Sequence, residues 1–183
     1  IDMHAHYVPP KVLSVLERDP SPYGAKLIEA AGGGQCVHFI YGLTIRPFFP
    51  ELLDLEERWG EMDRQGVDRQ ILSVWTDLSG YGMSLTEAAR WHRLLNEVMC
   101  DEARQHPHRL AALASVPLQD AKSAAHELEY CVKQCGAVGG VIAANIDGSN
   151  LGEALLDDFW SAAVALAVPI FIHPTQPTPL PRT

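Results

Sequence analysis

Two histidines separated by one alanine, His4 and His6, open the chain, and a third, His173, closes an apolar run near its other end. Neutral imidazole is the commonest protein ligand for zinc and related divalent ions, with nitrogen about 2.0–2.1 Å from the metal. The apolar start and Pro9-Pro10 behind the pair predict a short strand that ends at His6. Side chains two apart on a strand share a face. His4 and His6 can therefore address one ion. The rival reading is two polar side chains at a strand end bonded to nearby backbone, and a pattern this short does not decide between them.

The elements that must position these residues belong to one domain of 183 residues with a substantial core. Hydrophobic residues make up 47% and charged residues 20%, ordinary for a globular protein. A net charge of -9 argues against nucleic acid and against an anionic membrane surface. No apolar run approaches the roughly 20 residues that span a bilayer. Cys36, Cys100, Cys131 and Cys135 read as buried free thiols, since no second Cys pair or nearby His completes a site around Cys131 and Cys135. Nothing resembles a secretory signal, so a reducing cytoplasm is expected. The chain opens on Ile1 at the edge of a strand, and its first native residues are expected to be missing.

Along the chain, a short helix from Lys11 and a proline-punctuated loop lead to Gly32-Gly33-Gly34. The runs Cys36–Tyr41 and Leu43–Arg46, split at Gly42, predict a hairpin inside an inserted region, about residues 20–48, covering one mouth of the fold. A helix is expected from Pro50 to Gly66. Beyond it, apolar strands at Arg69–Trp75, Leu110–Val116, Val138–Asn145 and Val168–His173 alternate with helices. Those helices are expected from Ser84 (a capping box with Glu87) to Gln105, from Asp120 to Cys135, and from Glu153 to Ala167. Near-continuous apolar strands alternating with helices fit parallel βα units. A dinucleotide-binding sheet needs G-x-G-x-x-G after its first strand, where this chain has His4-x-His6. That favours a (β/α)₈ barrel, of which five βα units are counted.

In such a barrel, functional residues gather where the strands end, at one mouth. His4 and His6 end the first strand and His173 the fifth, so three imidazoles converge as a candidate zinc or other divalent site. Trp75 and Asp77 end the second strand, Pro117-Leu118-Gln119 the third, and Asn145 and Asp147 the fourth; these are candidate pocket-wall residues, with loop capping as the alternative. His106 and His108 flank Pro107 at the opposite mouth and are assigned to helix termination. His92 and His126 sit within helices as packed or solvated residues, and His38 in the hairpin is a lesser candidate.

Five motifs then occur in order: Ile1–His6, Glu61–Val67, His106–Leu110, Val116–Gln119 and Phe171–Pro174. Together they resemble the amidohydrolase superfamily, nearest the branch that contains aminocarboxymuconate-semialdehyde decarboxylase and related metal-dependent decarboxylases. The resemblance implies a barrel whose one divalent metal, zinc in the first instance and manganese as the alternative, is held by His4, His6 and His173. In that branch an arginine of the inserted region contacts a substrate carboxylate, and ungapped counting from Met62-Asp63 brings Arg46 to that position. A guanidinium can grip a carboxylate bidentately, although a surface arginine on a hairpin edge is an equal alternative. The resemblance also implies a small carboxylic acid as substrate and a homodimer of the full-length protein.

The family barrel has eight strands, with a catalytic histidine after the sixth and a metal-ligating aspartate after the eighth. These are expected beyond Thr183, because the proline-studded stretch from Pro174 to Thr183 does not read as a strand. The expectation is a longer protein, and exposed apolar surface at the edges of a partial barrel. The expected activity is metal-dependent decarboxylation of an aromatic or unsaturated acid. Its rivals are a hydrolase or hydratase using the same ion, and a non-catalytic partial barrel. A lysine bridging two metals on the fourth strand would favour the hydrolase, and Val138–Asn145 contains none.

Overall fold

The computed structural model describes residues 1–146, 148–153 and 155–174. Strand β1 (Asp2–Tyr7) leads into helix α1 (Pro10–Arg18), whose first turn tolerates proline because its N–H has no helical partner to lose. The insert follows as an antiparallel hairpin of β2 (Ala25–Glu29) and β3 (Gln35–Phe39). Helix α2 (Leu55–Gln65), β4 (Gln70–Val74), α3 (Leu85–Gln105) and β5 (Leu110–Ser115) come next. Then follow α4 (Ala121–Tyr130), β6 (Gly139–Ala143), the two-residue pair β7 (Asn145–Ile146) and β8 (Ser149–Asn150), α5 (Asp157–Leu166) and β9 (Ile170–His173).

Five of these strands form one parallel sheet in the order β1-β4-β5-β6-β9. In a flat sheet, four spacings of about 4.8 Å would hold the edge strands roughly 19 Å apart. Yet Nε2 of His4 on β1 and Nε2 of His173 on β9 are 3.0 Å apart. The sheet is therefore curled, as part of a (β/α)₈-type barrel. Small residues permit close packing at the far side of the curl. A Cβ on Gly139 would sit 2.4 Å from the carbonyl oxygen of Pro169, so only glycine fits where β6 meets the lead into β9. Apolar surface at the two edges is open as expected, with Met3 49% and Ile172 48% exposed.

The helices cover the outer face. Trp91 and Leu95 of α3, Leu128 of α4 and Phe159 of α5 are buried, each contributing about 1.5–3 kcal/mol relative to exposure. A polar network runs through the same layer. Asn96 clamps the end of β5 in both directions, accepting from the Ser115 N–H at 2.7 Å and donating to the Ser115 carbonyl at 2.8 Å. Glu127 of α4 accepts from Asn96 at 2.9 Å and from Arg93 at 2.8 Å. His92 pairs through Nδ1 with Ser115 Oγ at 2.9 Å. All four cysteines are buried free thiols.

Four expectations require correction. The chain does turn at Gly42, and Leu43–Arg46 returns along β3 through the His38–Thr44 bridge and backbone bonds from Phe39 to Leu43 and from Ile45 to Val37, but the longer partner of β3 is the upstream Ala25–Glu29. The glycine turn explains this, since Gly33 and Gly34 both take positive φ and can reverse the chain tightly. The helix expected from Pro50 begins at Leu55, because Asp54 is its cap, accepting from the N–H groups of Glu56 and Glu57. Helix α4 changes to a π turn over Cys131–Cys135 before Gly136 ends it in the left-handed conformation. The last helix begins at Asp157, while Glu153 is spent accepting from the Asn150 N–H. Asp147 and residues 175–183 lie outside the described residues.

Burial lowers the pKa of His92 from 6.5 to about 4, against the opposing pull of Glu127. The unfolded chain thus takes up this proton first, so the contribution of His92 is complete above about pH 6.5 and is lost as pH falls toward 4. Urea unfolding at pH 7 and pH 5 is expected to differ by about 2 kcal/mol through this group. In His92→Gln the difference should shrink by that amount; an unchanged difference would show that His92 is not its source.

Candidate metal centre

β1 delivers His4 and His6 to the mouth of the curled sheet, and β9 delivers His173 from the opposite edge. Nε2 of His173 lies 3.0 Å from Nε2 of His4 and 3.0 Å from Nε2 of His6. The rings meet edge to face, with centroids 4.8–5.0 Å apart. Among the described residues, these three form the one group of His, Cys, Asp or Glu side chains whose ligand atoms crowd closely enough to share an ion. The two histidines of β1 do share a face, as their spacing required.

Ser73 sets the ring of His6. Its Oγ lies 3.0 Å from Nδ1 of His6 and 3.5 Å from the Ala5 carbonyl, so the hydroxyl can donate to the carbonyl and accept from a His6 protonated on Nδ1. That tautomer turns the Nε2 lone pair toward the cluster. Behind it, Arg58 of α2 donates to the His6 carbonyl at 2.6 Å and to Gln70 Oε1 at 2.9 Å, pinning the end of β1. Burial, then repulsion from His173 and His4, lowers the pKa of His6 to about 4. Burial and the neighbouring His4 also lower that of His173. Both rings are neutral at pH 7 and able to donate lone pairs.

Arg46 lies on the extended segment after the hairpin. Its Nε donates to Asp77 Oδ2 at 3.0 Å, and its guanidinium stacks 4.7 Å above the Trp75 ring. Trp75 is buried, 3% exposed, with Phe48 and Phe49 against it at 5.6 Å. Asn145 lies in a turn: its Oδ1 accepts from the Gly148 N–H at 2.8 Å, and its amide faces Asn150. His38 bonds Thr44 Oγ1 at 2.8 Å within the insert. His106 caps α3 and packs on Trp59, away from the imidazole cluster.

Comparison with known proteins fits this geometry. The sequence profile of the amidohydrolase family matches residues 1–182. The chain belongs to that family. It is similar to the gamma-resorcylate decarboxylase of Polaromonas sp. strain JS666, with 32% identity over 70% of this chain and 41% of that protein. It is also similar to the 2-amino-3-carboxymuconate-6-semialdehyde decarboxylase of Dictyostelium discoideum, 27% identical over 96% of this chain and 49% of that one. Among solved structures, a dihydroxybenzoic acid decarboxylase from Polaromonas sp. JS666, with bound manganese and the inhibitor 2-nitroresorcinol, superposes with a TM-score of 0.61. That match has 31% identity and covers 71% of this chain and 41% of that chain. The chain spans about half the length of the curated amidohydrolase relatives it matches, or less.

Ser73 and Arg58 could not be singled out from the sequence. A serine inside an apolar strand and an arginine among helical glutamates carry no local signal; only the pairing of β1 with β4 and the packing of α2 expose their roles. Ser73→Ala is expected to free the His6 ring and to weaken manganese binding about tenfold, within the range for partners of metal ligands. Titration with manganese measures it, and an unaltered affinity would remove Ser73 from the site.

Proposed function

We propose that this amidohydrolase is a metal-dependent carboxy-lyase that releases the carboxylate of an aromatic or unsaturated acid as carbon dioxide. One divalent ion would be held by His4, His6 and His173. The observation that carries the reading is the meeting of three Nε2 atoms, with His173 at 3.0 Å from both others. An Nε2–H on one neutral ring can bond a single neighbour at that distance, whereas a cation among them is shared by all three lone pairs. A divalent metal suits this donor set, and manganese in the Polaromonas structure supports the choice, with zinc fitting the same nitrogens.

The chain's own residues divide the remaining work. His4, His6 and His173 supply lone pairs, and Ser73 and Arg58 hold His6 in place. Arg46 offers two N–H donors to the acid's carboxylate. Trp75, buried beneath Phe48 and Phe49, would back the Arg46 guanidinium that faces the substrate. When bound, the ion supplies Lewis acidity toward substrate oxygen or water. During the reaction the bond between ring carbon and carboxylate breaks, its electron pair stays on the carbon, and a proton replaces the carbon dioxide. The hydrolase alternative has less support, since Gly139–Ala143 offers no lysine to bridge two ions.

The test is carbon dioxide release from γ-resorcylate and related aromatic acids by the full-length, manganese-loaded protein. His173→Ala is expected to lose bound metal by elemental analysis and at least about a hundredfold of activity, more than changes to outer-shell partners produce. Acid consumption without carbon dioxide, or undiminished turnover after chelation, would overturn the proposal.

A further inference from the structure

We infer that Asp77 is the positioning residue that aims Arg46 at the acid's carboxylate, an inference that rests on the decarboxylase reading above. Arg46 needs such a device. It stands on a segment without helix or strand, its side chain is 65% exposed, and a free arginine samples many rotamers. Two contacts restrict it, and both come from the end of β4 rather than from the insert. Trp75 gives the guanidinium plane a surface, and Asp77 gives it a direction.

The way the bond is made matters. A guanidinium has five N–H groups and can receive a carboxylate at its Nε side or end-on through Nη1 and Nη2. Asp77 takes Nε, at 3.0 Å, and among the described residues Arg46 makes no other hydrogen bond. The end-on fork is left for a second carboxylate. Had Asp77 occupied the fork, it would compete with substrate; placed at Nε, it orients the fork without blocking it. Asp77 also stands in the single helical turn Thr76–Leu78 that follows β4, the strand paired with β1. The tether thus anchors Arg46 at the end of the strand beside the one that carries His4 and His6.

Calorimetric binding to the full-length, manganese-loaded protein tests this, with γ-resorcylate and its carboxylate-free product resorcinol as probes. Asp77→Ala is expected to weaken γ-resorcylate about tenfold, as for loss of one partly exposed charge-assisted hydrogen bond, and to leave resorcinol within about twofold. Asp77→Asn, whose Oδ1 can still accept from Nε, is expected to fall between Asp77→Ala and the parent. In turnover, KM should rise while kcat holds. Unchanged or tighter γ-resorcylate binding in Asp77→Ala would overturn the inference, as would equal weakening of both probes. Arg46→Gln separates the two levels of the argument. Weakening there but not in Asp77→Ala rejects the positioning role alone, whereas no effect in either, or no γ-resorcylate binding by the parent, rejects the substrate reading beneath it.

Discussion

Curvature of the parallel sheet is the constraint on which the rest depends. His4 and His173 stand on its two edge strands, and only a sheet bent round on itself can bring their Nε2 atoms within 3.0 Å. Parallel strands twist by default, but a bend this strong needs room at its outer side. Gly139 and Gly140 of β6 provide it where β6 meets β9. A side chain on Gly139 would meet the Pro169 carbonyl, and one on Gly140 the Ile170 side chain.

The bend would accomplish little if the strand ends drifted. Beneath the mouth, Asn96 meets both backbone groups of Ser115, and Glu127 gathers Asn96, Arg93 and the Cys131 thiol. A buried carboxylate is costly unless its oxygens are filled, and here they are. The network fixes α3 and α4 against β5. At the β1 edge, Arg58 plays the matching part by bonding the His6 carbonyl, the Glu51 carbonyl and Gln70 together. His6 is thereby held by a helix remote from it in sequence.

The segment between α1 and α2 joins the sheet by a different principle. Its hairpin contributes no strand to the main sheet. It joins the barrel through aromatic packing, Phe48 and Phe49 on Trp75, and through the Arg46–Asp77 pair. An exposed ion pair adds little stability by itself. Its value lies in direction, because a planar guanidinium held on one side presents its free donors on another.

The alternation of apolar strands and helices, the capping serine and aspartate, and His4-x-His6 with a distant His173 were all legible in the amino-acid order. Local chemistry carries them: strand period, turn residues and ligand type need no long-range information. The second partner of β3 was not legible, because Lys26 and Glu29 disguise Ala25–Glu29 as loop, and the chain reverses at Gly33-Gly34 as well as at Gly42. Nor was the role of Ser73 visible, since it depends on β1 lying beside β4. By itself the sequence determined which atoms are able to bind a cation. Only the tertiary structure decided that they meet, because distances between residues 169 positions apart are set by sheet curvature, which no single stretch of chain contains.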